Sequence, residues 1–202
     1  MSLYNFIKFL KFFGAMYFNH PPRKIPNYKL INCIASTNSS CVYESTNSKL
    51  NKKVVLKFIP VFETNCEVAQ NEVNIQSLIR HPFIMPVRNF DFTFKNNRYH
   101  VLEMPPAMCG LSSVHDFIKT NNTMYKIMYQ VLSAIDFLHD MRILHGDIKP
   151  ENIVLMSDNL ENPEIRIIDF GHSHHFEEGE DMEKCILNNP SGTIMFNSPE
   201  LL

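Results

Sequence analysis

The sequence is short of the features that would sort it at a glance. It has five cysteines, Cys33, Cys41, Cys66, Cys109 and Cys185, an odd number with no CxxC pair. That argues against a disulfide framework or a zinc knuckle and for a reducing compartment. Charge of one sign is not in excess: 19 Lys and Arg stand against 21 Asp and Glu, a formal net charge of -2. A balance of this kind gives no global pull toward nucleic acid or an anionic membrane, although a local basic groove is compatible with it. Position 2 is not glycine, which removes an N-terminal myristoylation signal. Beyond residue 18 no uncharged apolar run approaches the length of a membrane span. There is no tryptophan, and no internal repeat or low-complexity tract.

What is present is enough apolar material for a core: 45% of 202 residues are hydrophobic, so wholesale disorder is excluded. The first eighteen residues, MSLYNFIKFLKFFGAMYF, are apolar and aromatic, interrupted by Lys8 and Lys11 on what would be one helix face. The lysines lie inside the run, and no small-residue cleavage site follows, unlike a secretory signal. The stretch is expected to be a helix or strand packed on the domain. The alternative is an amphipathic helix at a membrane surface.

The run 20-HPPRKIPN-27 contains three prolines and reads as a linker or a boundary. After it, YKLINCIA (28–35), CVYES (41–45), KVVLKFIP (53–60), PVRNFDFTF (86–94) and RYHVLEM (98–104) are strand-like, separated by polar turns. A helical period runs from Glu67 to Ile79, with Val68, Val73 (Ile75 near it), Leu78 and Ile79 on roughly one side. His81-Pro82 ends it. A second helix is expected in TMYKIMYQVLSAIDFLHDM, where Met124, Ile127, Met128, Val131, Ile135 and Leu138 recur at three and four and Asn122 or Thr123 can cap. Short strands ENIVLM and EIRII follow. Strands gathered in the first half and helix in the second predict two subdomains with a cleft between them.

The chemistry-bearing stretch is 145-HGDIKPEN-152, followed seventeen residues after Asn152 by 169-DFG-171. Two carboxylates and an amide on neighbouring loops make a hard-oxygen set for Mg²⁺ plus a proton acceptor, and Lys149 adds a cation for developing phosphoryl charge. Here the sequence resembles the protein kinase family, serine/threonine branch, from about Tyr28 to its end. HGDIKPEN is similar to the catalytic loop, DFG is intact, Lys57 in VVLKFI matches the strand lysine, Glu72 the helix glutamate, and SGTIMFNSPE the substrate-docking segment.

The resemblance implies an α+β, two-lobe fold: an extension (1–26), an N-lobe of antiparallel sheet plus one helix (27–104), and an incomplete, mainly helical C-lobe (105–202). It implies ATP and Mg²⁺ as cofactors. Asp147 would orient the substrate hydroxyl and accept its proton, Lys149 would contact the transferred group, and Asn152 and Asp169 would hold the metal. Lys57, steadied by Glu72, would bind the α/β-phosphates. Ala35, Val42, Val55 and Val154 would line the nucleotide, with Leu102 as gatekeeper and the Glu103 carbonyl and Pro105 at the hinge. A lone Asp or Lys at any of these places would read as solvated surface, and the argument rests on the set in register. The histidines at 172, 174 and 175 and the acidic run 177–181 read as a polar loop.

Several positions depart from the family pattern. The glycine-rich loop has Ala35, Thr37 and Ser40 in place of its glycines. Gly146 replaces the arginine that binds a phosphorylated activation loop, so Ser173 and Thr193 are poor on-switches by that route. Pro105 has no N–H for adenine. Gln76 stands where the family has an apolar residue, and buried it needs a partner. The chain ends two residues after Glu200, before further helices of the family. The function implied is a serine/threonine protein kinase; the alternative is a truncated pseudokinase or decoy that engages another kinase or its substrate. A small-molecule kinase fits less well, given Lys149-Pro150-Glu151 and the SPE segment. The partner is then a protein substrate or a partner kinase, not nucleic acid or membrane, in an intracellular, cytoplasmic setting. The oligomeric state is left open.

Overall fold

The structure, a computed structural model, describes residues 24–37, 39–62, 66–113, 121–180 and 192–197. The apolar stretch 1–18, Cys185 and the SPE residues lie outside them. The described chain divides into two units, one made of residues 24–69 and 88–104, the other of 70–87 and 105–197.

The first unit is a six-stranded antiparallel sheet. Its strands are β1 (Lys24–Ile25), β2 (Tyr28–Ser36), β3 (Cys41–Asn47), β4 (Lys52–Val61), β5 (Arg88–Phe94) and β6 (Asn97–Met104), in the order β1-β2-β3-β4-β6-β5. The β5–β6 hairpin closes through Lys95 and Asn96, both at positive φ, as a two-residue turn matching strand twist requires. Leu30, Cys41, Leu56, Phe58, Tyr99 and Val101 form the core of the unit. Burial pushes the Cys41 thiol up to about 12, so it packs as an inert hydrophobe. The proline-rich 20–27 run is not simply a linker. Its Ile25 is buried in this core, and Lys24–Ile25 pairs with Tyr28–Lys29. An isoleucine side chain with a sheet edge beside it removes apolar area from water, which outweighs the turn chemistry around it.

Among the described residues, the second unit carries two helices. The first, α1 (Cys66–Leu78), crosses the division between the units, with its residues from Gln70 onward in the second. The second helix is α2 (Asn121–Asp140). Short strands β7 (Cys109–Gly110), β8 (Ile143–Leu144), β9 (Ile153–Leu155), β10 (Ile165–Ile167) and β11 (His174–His175) form a three-stranded sheet, β10-β9-β7, and a β11-β8 pair. Ile75, Ile79, Ile127, Val131, Ala134, Leu138, Ile153, Leu155, Ile165 and Ile167 pack as one core.

The helix faces differ in detail from the periodic reading. On α2 the buried stripe is Ile127, Val131, Ala134 and Leu138, while Met124 and Met128 are exposed. The stripe swings because Gln130 is buried: its Nε2 donates to the Pro163 carbonyl at 2.7 Å and its Oε1 accepts from Ile165 N at 3.0 Å. The helix begins before both proposed caps, and the Thr123 hydroxyl donates to the Leu160 carbonyl at 2.8 Å instead. On α1, Val73 and Ile75 are buried and Leu78 is 58% exposed, and Ile79 just beyond the helix is buried.

Gln76 is 4% exposed, and its Oε1 has no hydrogen-bond partner among the described residues. A buried orphan acceptor costs about 1–3 kcal/mol. Gln76→Met conserves the shape and removes the orphan. It is expected to raise the melting temperature by roughly 2–8 °C in a thermal scan; a fall would show that the amide is satisfied in solution.

Candidate active site

Within the second unit the loop between β8 and β9 carries the charged residues. It leaves β8 at His145, turns through Gly146 at φ 79° and ends in a single 3₁₀ turn, Pro150–Asn152, with proline in its first turn. Asp147 is buried, its side chain 4% exposed. Four donors surround its carboxylate. Oδ1 accepts from Thr193 N at 2.9 Å and from the Thr193 hydroxyl at 2.7 Å. Oδ2 accepts from Lys149 Nζ at 2.6 Å and from Asn152 Nδ2 at 2.9 Å. A carboxylate has about four lone-pair sites, and these are all engaged. Burial pushes the Asp147 carboxyl up, but the Lys149, Thr193 and Asn152 hydrogen bonds outweigh it, and the group lies below its ordinary value. The aspartate is therefore a persistent anion.

Thr193 is delivered by a close backbone approach. Gly192 has φ 91°, and a Cβ there would strike the Gly146 carbonyl. Only glycine fits. The Thr193 hydroxyl also accepts from Lys149 Nζ at 2.7 Å, so the lysine bridges aspartate and threonine.

Beneath the loop, His145 is 3% exposed and its ring lies 4.7 Å from that of Phe170. Its Nδ1 accepts from Asp147 N at 3.3 Å, and its Nε2 faces the Ile168 carbonyl at 3.1 Å. This assigns the neutral tautomer with hydrogen on Nε2. Burial holds its pKa below the ordinary 6.5, against the Ile168 carbonyl. The histidine thereby joins the loop of residues 145–152 to the strand end that carries Asp169. Asp169 itself has φ 66°, a left-handed conformation uncommon for a non-glycine residue. Its Oδ1 and the Glu72 Oε2 both lie 3.4 Å from where a Gly171 Cβ would be.

The donor set suits Mg²⁺. Asn152 Nδ2 is spent on the Asp147 carbonyl and carboxylate, at 2.8 and 2.9 Å, which fixes the amide flip and leaves Oδ1 as its acceptor. One amide oxygen and one carboxylate, from Asn152 and Asp169, match an ion that keeps most of its ligands from water and phosphate.

In the sheet unit, Ala35, Val42, Lys57 and Leu102 fall in one cross-strand row, through the pairs Ala35–Val42, Val42–Lys57 and Lys57–Leu102. Val55 lies two residues along the same face of β4, opposite Met104. Lys57 and Leu102 are buried. Glu103 is in the ladder between Leu56 and Arg88, and its carboxylate is held by Tyr28, Arg88 and Asn47. Pro105 is exposed and Val154 is buried in β9 of the second unit. Lys57 and Glu72 are both buried and belong to different units.

The loop between β2 and β3 is closed on itself. The Thr37 hydroxyl accepts from Ser39 N at 3.2 Å and Ser40 N at 3.1 Å, while Thr37 N donates to the Ser40 carbonyl at 2.8 Å. Three main-chain donors of the loop are thus occupied within it.

Residues 28–202 match the protein kinase domain model. The chain belongs to the protein kinase family. Human serine/threonine-protein kinase ULK3 is 30% identical over 191 residues, which are 90% of this chain and 38% of that protein. The probable serine/threonine-protein kinase FMP48 of Saccharomyces cerevisiae is 28% identical over 188 residues, 86% of this chain and 47% of that one. Calcium-dependent protein kinase 4 of Plasmodium falciparum is 33% identical over 155 residues, 74% and 28% of the two chains. The chain spans less than half the length of each.

In the loop between β8 and β9 the structure brings Asp147, Lys149 and Asn152 together. It adds Thr193, which sequence reasoning assigned to the docking segment without giving its hydroxyl a partner. The signal was the Gly-Thr pair in SGTIMF. The Thr37 turn was also missed. Counting absent glycines revealed the departure, but not that a threonine side chain would take up the amides.

The pKa of His145 gives a pH test. The unfolded chain takes up this proton as pH falls through about 6.5, and the folded chain only lower. The contribution is therefore complete above that pH and lost below it. Melting temperature measured from about pH 7.5 to 5.5 is expected to fall on the acid side, less steeply in His145→Tyr. Equal slopes would assign the loss to another group, such as His81, whose pKa burial also lowers.

Proposed function

We propose that this kinase transfers the γ-phosphoryl group of ATP to a serine or threonine hydroxyl of a protein substrate. The observation that carries the reading is the Asp147 carboxylate, buried, anionic and bonded to Lys149, Asn152 and Thr193. When bound, Mg²⁺·ATP supplies the electrophilic phosphoryl group and part of the countercharge. Asn152 Oδ1 and the Asp169 carboxylate would hold the ion, and Lys57 the α/β-phosphates. Lys149 would swing from Asp147 toward the phosphoryl oxygens. That leaves an Oδ2 lone pair for the incoming hydroxyl, which Asp147 orients and from which it takes the proton. Asn152 and Thr193 keep the carboxylate oriented while Lys149 is away.

Asp147→Asn preserves shape and removes the base. Transfer of labelled γ-phosphate to a generic basic protein is expected to drop by about 10²- to 10⁴-fold. Transfer by the variant equal to that of the native chain would overturn the reading.

The closed Thr37 turn favours a second reading, in which the protein engages a kinase or its substrate without turnover. Exposed Met124, Met128, Leu132, Ile194 and Met195 would offer it an apolar surface. The two readings part on Thr37→Gly, which frees the Ser39 and Ser40 amides. If the loop serves nucleotide, ATP affinity should rise by about fivefold, the equivalent of one net hydrogen bond, in a thermal-shift titration with Mg²⁺. No ATP-dependent shift in either protein, with a cooperative melt, would favour the binding module.

A further inference from the structure

The turn between α2 and β8 holds Arg142 at φ 56°, a conformation that a Cβ disfavours and that glycine would adopt freely. A strained residue invites the question of what its side chain secures. Its guanidinium reaches the segment that follows Asp169-Phe170-Gly171. Nη2 donates to the carbonyls of Glu177 at 2.8 Å and Glu180 at 2.9 Å, and Nε to that of Phe176 at 3.3 Å. The Arg142 carbonyl in turn accepts from Phe176 N at 2.9 Å. One residue grips 176–180 at four points, with side chain and main chain together.

The same segment is fixed on its near side. The Ser173 hydroxyl is buried and donates to the His145 carbonyl at 3.0 Å, and Asn71 Nδ2 donates to the Ser173 carbonyl at 3.0 Å. His174–His175 pairs with Ile143–Leu144, and Phe176 is 3% exposed. The turn itself is closed by Glu180 N to the Glu177 carbonyl and Glu177 N to Glu180 Oε2. None of these contacts involves a phosphorylatable hydroxyl free to receive phosphate. Gly146, beside Asp147, has no side chain with which to bind one.

We propose that Arg142 is a positioning residue that holds the segment after Asp169 in its ordered course without phosphorylation. The proposal rests on the kinase reading for its effect on transfer, but not for its effect on order. Asp169 stands at one end of the clamped stretch in a left-handed conformation, which persists only while its flanks are held. Release at 176–180 would loosen the carboxylate that is to face Mg²⁺. Neutral carbonyls suit a guanidinium here because its planar fork of donors satisfies two at once, which an ammonium cannot do in the same geometry.

The test uses the whole chain, native, Arg142→Ala and Arg142→Lys, each after phosphatase treatment. Amide hydrogen exchange is read at Phe176 and Glu180, with the β9 and β10 amides as a control for global unfolding. In Arg142→Ala the two segment amides are expected to exchange about ten- to a hundredfold faster while β9 and β10 are unchanged. The KM for Mg²⁺·ATP should rise several-fold. Loss of folded protein alone would lower apparent kcat and leave KM where it was. Arg142→Lys should recover part of both effects. Phosphatase-treated native protein should transfer as fast as untreated protein. Unchanged segment exchange in Arg142→Ala would overturn the proposal, as would abolition of native transfer by phosphatase. A native chain that transfers nothing, yet loses Phe176 protection in Arg142→Ala, would overturn the kinase reading and support the clamp.

Discussion

The second unit depends on keeping one buried carboxylate ionised. An isolated buried charge is too costly to persist, so Asp147 requires donors on both oxygens. Two of them come from its own loop, Lys149 and Asn152, and two from Thr193. The local donors need only a short loop with a proline-initiated 3₁₀ turn. The distant ones require a segment 46 residues away in sequence to arrive within hydrogen-bond distance. That demand explains why Gly192 lies flush against Gly146: any side chain at 192 would hold Thr193 off.

Glycine is placed sparingly in this chain, and its placement separates two halves of the proposed chemistry. It occurs where the second unit needs close backbone contact, at 146 and 192. It is missing from the β2–β3 loop, where Thr37 turns the local amides inward. The first arrangement holds Asp147, Lys149 and Thr193 together. The second leaves the amides of Ser39 and Ser40 bonded within the loop.

Strands were the most legible elements. β2, β3, β4, β5 and β6 each follow an alternation or β-branched run bounded by Asn-rich turns, and the register that sets Val42 beside Lys57 is visible as a count. The helix faces were less so, because periodicity treats Met124 and Ile127 alike. It cannot see that the Gln130 amide has partners at Pro163 and Ile165 and rotates the stripe. The two-residue strands β1, β7, β8 and β11 carry no periodic signal at all. Of the candidate site, the residues with charge or amide chemistry were read from motif spacing. Thr193, Thr37 and Arg142 were not, since each acts through hydrogen bonds to distant or main-chain atoms whose partners only folding reveals.

Saturation of Asp147 also constrains the order of events in the proposed reaction. A substrate hydroxyl cannot be added to a carboxylate whose lone pairs are all taken; it has to replace a donor. Asn152 is held at two points on the aspartate, and Thr193 N is fixed by its backbone. Lys149 is the donor with the longest flexible stem. Nucleotide entry would therefore precede productive engagement of the hydroxyl, because phosphate draws the lysine away and opens the acceptor. Once Asp147 has lost its acquired proton again, the lysine would return to it and restore the pairing seen here.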